Sequence, residues 1–294
     1  MDRSDPRRLA AIAERQLARL TGRTEREILT IYRSTQEELR SELSRAFERY
    51  AVDGSLTQAE MSKYGRLAKL EKELNTITGR GTQRARAATT SAERRVFNEA
   101  LARQQWTIDM TSGKLLPWGR VSERAVEAAI QSPLADVAFD RLRTGSRQRI
   151  RASLARAIVN GQSFPELSRE IRKSINGNAS DAMRIARTEL HRAENEGRLQ
   201  ATEKAKELGV ESRKVWLAVQ DERTRAQHDE MDGTPADDDG LFTMPDGARG
   251  EAPGKIGEPH HDINCRCTYY DEVIEAPEDA PDTEYQSFER WSEQ

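Results

Sequence analysis

Two cysteines, Cys265 and Cys267, sit two positions apart, and three of the chain's four histidines, His228, His260 and His261, lie close by. A disulfide between positions i and i+2 would force the backbone away from extended geometry. Two free thiols or shared metal ligation remain, and both suit a reducing compartment. Cys265 and Cys267 can face one ion, and His228 with His261, or His260 in its place, would complete a tetrahedral shell. About thirty residues of polar loop separate His228 from His261. A structural zinc would staple that loop without a large core. The competing reading has the cysteines as small buried residues and the histidines hydrogen-bonded to loop backbone.

Other polar groups cluster around the same stretch. Asp221, Arg223, Thr224 and Arg225 follow Trp216 and a short apolar run, then come Asp232 and Gly233. Alternating acid and arginine can form an internal ion-pair network that holds a turn, or a phosphate contact. Arg187, Thr188, Glu189 and His191 fall on one expected helix, where Arg187 and His191 share a face. A packing or solvated role suits them better than acid–base catalysis. Asp237-Asp238-Asp239-Gly240 lacks the spacing of an EF-hand calcium loop and reads as a solvated acidic loop. The chain has no Gly-x-x-x-x-Gly-Lys-Ser/Thr loop, no Gly-x-Gly-x-x-Gly and no Gly-x-Ser-x-Gly elbow, which removes three common nucleotide or nucleophile sites.

The elements that must position these residues are mostly helical. Ile28, Tyr32, Leu39, Leu43, Phe47 and Tyr50 recur at helical spacing through residues 6–50, with Thr21-Gly22 as a candidate interruption. Thr57-Gln-Ala-Glu60 has the form of a capping box and opens a second helix expected to end near Gly79-Arg-Gly81. A third covers about 83–107. Apolar markers from Val126 through Leu134, Val137 and Leu142 to Ile158 extend helical patterning over 121–160. Ser163-Phe-Pro-Glu166 starts a helix to Asn176-Gly177-Asn178, and Ser180 is placed to cap the next, which runs to Leu208-Gly209. Beyond Gly209 the helical period is lost. Lys214–Val219 and Cys267–Ile274 read as strands flanking a loop rich in Asp, Gly and Pro.

The expected fold is therefore α+β and predominantly α: long helical hairpins and a bundle with a small C-terminal β-containing module. The expected regions are 1–113 and 114–208, both helical, 209–275 as the Cys/His module, and 276–294 as an acidic tail. Composition agrees, at 36% hydrophobic, 5% aromatic and 33% charged, which fits amphipathic helices better than a thick globule. No stretch approaches the roughly 18 apolar residues of a membrane span, and the N-terminus leads into no signal-peptide core. A soluble protein with no membrane partner is expected. The net charge of −3 conceals +11 over residues 1–190 and −14 over 191–294. A basic front of that kind could make weak, non-specific contact with DNA phosphates.

Arg187-Thr188-Glu189 with Asn195-Glu196-Gly197, then Trp216, Asp221-Glu-Arg223-Thr224-Arg225, His228, Asp232-Gly233 and Cys265-Arg266-Cys267, together resemble the phage minor head proteins. That is the Mu F-like, SPP1 gp7-like head morphogenesis group. The resemblance covers roughly residues 150–273. It implies a non-enzymatic minor capsid protein of a tailed phage. Such a protein associates with the portal protein, and scaffold or major capsid protein is a further candidate partner. It would enter the head during assembly in the host cytoplasm, remain inside the virion, and act in head assembly and DNA packaging or ejection. Some relatives carry a toxin domain after this module, and the chain stops soon after Cys267, so none is expected here. The rival from another class is a metal-dependent hydrolase or nuclease using His228, His261 and nearby aspartates. A general DNA-binding protein would need a more basic chain.

Overall fold

The computed structural model describes residues 4–293. Its architecture is predominantly α with small antiparallel sheets, as the helical periodicity predicts. In order it comprises α1 (Pro6–Tyr50), the two-residue strands β1 (Ala51–Val52) and β2 (Ser55–Leu56), α2 (Gln58–Ser62), α3 (Arg66–Ser112), α4 (Glu123–Ile130), α5 (Pro133–Asn160) and α6 (Phe164–Glu207). The C-terminal module adds β3 (Glu211–Leu217), α7 (Ala226–Glu230), β4 (Phe242–Thr243), β5 (Arg249–Gly250), α8 (Pro259–Asp262) and β6 (Thr268–Glu275). A last turn, α9 (Phe288–Trp291), follows.

The chain divides into two compact units that interleave along the sequence: residues 23–89 with 132–186, and residues 1–22, 90–131 and 187–294. The regions expected at 1–113 and 114–208 follow helix ends along the chain, whereas the units are built from several separated pieces.

The first unit packs parts of four helices around one core. α1 gives Ile28, Tyr32, Leu39, Leu43 and Phe47, and α3 gives Leu70, Leu74 and Ile77. α5 gives Phe139, Leu142, Ile150, Leu154 and Ile158, and α6 gives Leu167, Ile171 and Ile175. Leu134 and Val137, counted as apolar markers in the sequence, are exposed instead. The run over 121–160 is broken at Gln131-Ser132, where the Ser132 hydroxyl accepts from the Ala135 N–H at 3.2 Å and caps α5.

Three sequence breaks are absent. α1 continues through Thr21-Gly22, α3 through Gly79 and Gly81, and α6 through Asn176-Gly177-Asn178. Gly81 stands where a Cβ would lie 2.4 Å from the Thr35 hydroxyl of α1, so the glycine serves close helix approach rather than termination. Asn178 is buried and accepts a hydrogen bond from Arg149 of α5. The capping box at Thr57 does form, with Thr57 accepting from Glu60 N. It opens only the short α2, because Tyr64 takes a positive φ of 53° before α3 begins.

In the second unit, β3 and β6 pair antiparallel, with Trp216 opposite Tyr269 and Leu217 opposite Thr268. Trp216, Phe242, Met244, Ile256 and Tyr269 are buried beside both cysteines and Leu199 of α6. α3 and α6 approach closely, since a Cβ on Gly197 would lie 2.4 Å from the Phe97 carbonyl oxygen. The acidic C-terminal residues form a docked segment rather than a free tail. Leu115 donates to the Pro281 carbonyl at 2.8 Å and Thr283 to the Gly113 carbonyl at 2.8 Å. The Trp106 indole N–H reaches the Gln286 carbonyl at 3.0 Å. No helix among the described residues is long and apolar enough to cross a membrane.

Candidate metal centre

The β3–β6 pair sets the site. Cys267 immediately precedes β6 and Cys265 lies two residues earlier, in a turn where Asn264 takes a φ of 55° and Cys265 N donates to Asp262 O at 3.2 Å. Asn264 N donates to the Thr188 hydroxyl at 3.2 Å, tying that turn to α6. His228, on α7, turns its Nδ1 to both sulfurs, 3.6 Å from Cys265 Sγ and 3.5 Å from Cys267 Sγ. All three residues are buried, and both thiols are free.

His261 does not join the sulfur group. It is fully buried on α8, and its Nδ1 lies 3.2 Å from the opposite nitrogen of His228, Nε2. Its own Nε2 lies 2.9 Å from Asp246 Oδ2, and His260 Nε2 reaches the same oxygen at 2.9 Å. Two donor groups result: His228 with Cys265 and Cys267, and Asp246 with His260 and His261, each with its donor atoms within 4.8 Å of one another. They are joined in a line, Asp246 to His261 to His228 to the sulfurs. Hydrogen bonds from His260, the Ala248 N–H and His261 hold the Asp246 carboxyl well below the usual range. The hydrogen bond between the two thiols, with burial, pushes Cys265 up, whereas Cys267 is pushed down by the Cys265 thiol and then by His228.

The remaining motif residues frame this cluster. Trp216 is buried and packs edge-on against His228 at 5.7 Å between ring centroids. Its carbonyl accepts from Gly233 N, and its own N–H donates to the Thr234 carbonyl. Gly233 has a φ of 77°, and the Asp232 carboxylate accepts from Ala218 N at 2.9 Å and from Arg7 at 2.6 Å. Arg266 forks onto Asp221 at 2.5 and 2.6 Å, and that pair holds the Asp221 carboxyl well below its usual range. Asp221 also accepts from Arg223 N, and Thr224 hydrogen-bonds the Val219 carbonyl. The Arg223 side chain is largely exposed. Arg225 clamps the carbonyls of His261 and Ile263 at 3.3 and 2.5 Å. On α6, Glu189 pairs with Arg192 at 3.2 Å, and Arg192 ties down the last carbonyls of α4, Ala129 and Ile130. Arg187 shares that helix. Asp221, Arg223, Thr224, Arg225 and Arg266 thus build the turns that flank the His228–Cys265–Cys267 group.

Asp246 is not legible in the sequence as a site residue. Asp246-Gly247 reads only as a turn, and its partners come from fourteen and fifteen residues away. A second cluster is also long-range. Arg198, fully buried, hydrogen-bonds Gln104 and Glu194, while Asp271 accepts from Gln104 at 2.6 Å and from Thr202 at 2.7 Å. Burial pushes the Asp271 carboxyl up against those hydrogen bonds.

The fold and this Cys/His frame define a helical protein with a small, polar-stapled β module. Residues 148–270 match the family described as Phage Mu protein F like protein. The chain is 27% identical over 266 residues to the Minor head protein GP7 of Bacillus phage SPP1, covering 86% of this chain and 83% of that one. It is 25% identical over 280 residues to the NAD(+)--arginine ADP-ribosyltransferase EFV of Enterococcus faecalis, covering 91% of this chain but 56% of that protein. Thus the chain spans little more than half of the second relative. No solved structure is matched significantly. Residues 148–270 thus carry the Phage Mu protein F like module, and the chain along most of its length is similar to a phage minor head protein.

Proposed function

We propose that this protein is a non-enzymatic minor component of a tailed-phage head. In this reading it sits inside the virion beside the portal protein, and acts in head assembly and in DNA packaging or ejection. The observation that carries it is the similarity to the SPP1 minor head protein along most of both chains. A module match alone would transfer less. The charge distribution supports contact with packaged DNA. The unit formed by residues 23–89 and 132–186 holds 23 basic and 15 acidic residues, and the other unit 24 basic and 35 acidic. Exposed Arg33, Arg40, Arg169 and Arg172 edge a groove of about 500 Å³ between α1 and α6. Arginine suits phosphate contact there.

The hydrolase reading has less support. Beside the sulfurs is a cleft of about 10 Å³ lined by Val219, Arg223, Thr224, Arg225 and Asn264, without a carboxylate. It has room for about one water, and the one imidazole on its wall, His228, turns its Nδ1 to the two sulfurs rather than standing free as a base. The test is to purify virions, separate heads from tails, and quantify this chain against portal protein by mass spectrometry. A chain present in heads at low copy and retained by immobilised portal supports the reading. A chain absent from heads sinks it.

A further inference from the structure

The geometry points to a zinc centre with three protein ligands, His228 Nδ1, Cys265 Sγ and Cys267 Sγ, and one water in the adjoining cleft. His261 and Asp246 stand behind it as positioning residues, not as ligands. This goes beyond the head-protein reading and does not depend on it.

The distances come first. With zinc–nitrogen near 2.0 Å and zinc–sulfur near 2.3 Å, a tetrahedral angle puts ligand nitrogen and sulfur about 3.5 Å apart. The observed separations are 3.6 and 3.5 Å. A single imidazole nitrogen equidistant from two sulfurs is poorly served by one hydrogen bond, which has one good direction. An ion at the centre satisfies all three.

The proton arrangement comes second. Asp246 is a carboxylate and accepts only, so His261 must present Nε2–H to it. A neutral His261 then carries its lone pair on Nδ1, which faces His228 Nε2. His228 in turn must donate from Nε2, and in its neutral form leaves the Nδ1 lone pair aimed at the sulfurs. Carboxylate–histidine pairs behind a metal-bound imidazole fix the tautomer in this way.

His261 cannot swing in as the fourth ligand without breaking both of its hydrogen bonds in a fully buried position. The water-sized cleft beside the sulfurs supplies the fourth position. Two thiolates would cancel the charge of the ion, and Arg225, which lines the same cleft, holds the α8 turn through the His261 and Ile263 carbonyls.

The experiment uses the full chain, purified without chelators and loaded with zinc alone, or with cobalt(II) as a spectroscopic substitute. Expected are about one zinc per chain and an X-ray absorption spectrum fitted by two sulfurs, one imidazole and one oxygen. Thiolate-to-cobalt charge-transfer bands should accompany tetrahedral d–d bands. Cys267→Ser should abolish those bands. Because that variant can unfold the module, His261→Gln gives the second arm: the same cobalt spectrum at saturation, with affinity about 10–100-fold weaker. A fit requiring two imidazoles, or a cobalt spectrum altered by His261→Gln, overturns the assignment. So does folded wild-type protein that takes up no zinc at saturating metal.

Discussion

Replacing Gly197 by alanine isolates the close approach on which the helical half of the module's unit depends. A methyl group there would meet the Phe97 carbonyl oxygen at 2.4 Å and the Leu101 nitrogen at 3.1 Å. Both are backbone atoms of α3, so no side chain can rotate away. The helices must separate, and because only backbone can yield, the cost falls in the upper part of the usual overpacking range, about 2–3 kcal/mol. Alanine returns about 1 kcal/mol of helix propensity, leaving a net loss of roughly 1–2 kcal/mol. Gly177 lies on the same helix, is exposed, and would have nothing within 4 Å of an added methyl group. Gly177→Ala should therefore stabilise by up to about 1 kcal/mol. The two variants can be read separately. All four tryptophans, Trp106, Trp118, Trp216 and Trp291, fall in the unit that holds Gly197, and none falls in the unit that holds Gly177. Tryptophan fluorescence in a urea titration follows the first, and circular dichroism follows both. With a slope of about 2 kcal/mol per molar urea, Gly197→Ala should lower the fluorescence midpoint by roughly 0.5–1 M. Gly177→Ala should leave it in place. A fluorescence midpoint that Gly197→Ala leaves unchanged or raises would refute the argument from close backbone approach.

Burial pushes the Asp109 carboxyl up to about 6, against hydrogen bonds from Trp291, Trp118 and Leu116. Its folded pKa lies above its unfolded value, so the stability it contributes is complete below about pH 4 and is lost as pH rises toward 6, by up to about 3 kcal/mol. Asp109→Asn should remove that part of the slope in fluorescence-detected unfolding between pH 4 and 7, and an identical slope in the variant would count against it. The docked C-terminal segment rests on Phe288, edge-on to Trp106 at 5.9 Å and 4.0 Å below the Arg103 guanidinium. Phe288→Ala should cost roughly 1–2 kcal/mol and expose residues 284–293 to limited proteolysis, and unchanged protection would show that the segment is held elsewhere. Full-length protein should retard duplex DNA without sequence preference at low salt. Replacing Arg33, Arg40, Arg169 and Arg172 together by alanine should flatten the log–log salt dependence by roughly 0.9 for each phosphate that is no longer neutralised. An unchanged slope would place the DNA on another face.

The sequence by itself determined the helical architecture, the change of character after Gly209, the two strands, and the residues that furnish a Cys/His site. Those features are written in local periodicity and in residue types, which a helix or strand obeys over a few turns. The helix ends expected at Gly22, Gly79, Gly81 and Gly177 do not occur, for a related reason. A glycine that ends a helix and one that admits a neighbouring helix look alike along the chain, and only the Thr35 hydroxyl over Gly81 tells them apart. The site divides in the same way. The sequence supplied His228, His261, Cys265 and Cys267 but not which nitrogen of His228 faces the sulfurs, nor that His261 stands behind it, nor that Asp246 anchors the line. Those relations depend on how the turns at Asn264 and Asp246 fold back onto the β3–β6 pair. Burial and hydrogen-bond direction then select one tautomer, and neither quantity exists until the module has closed.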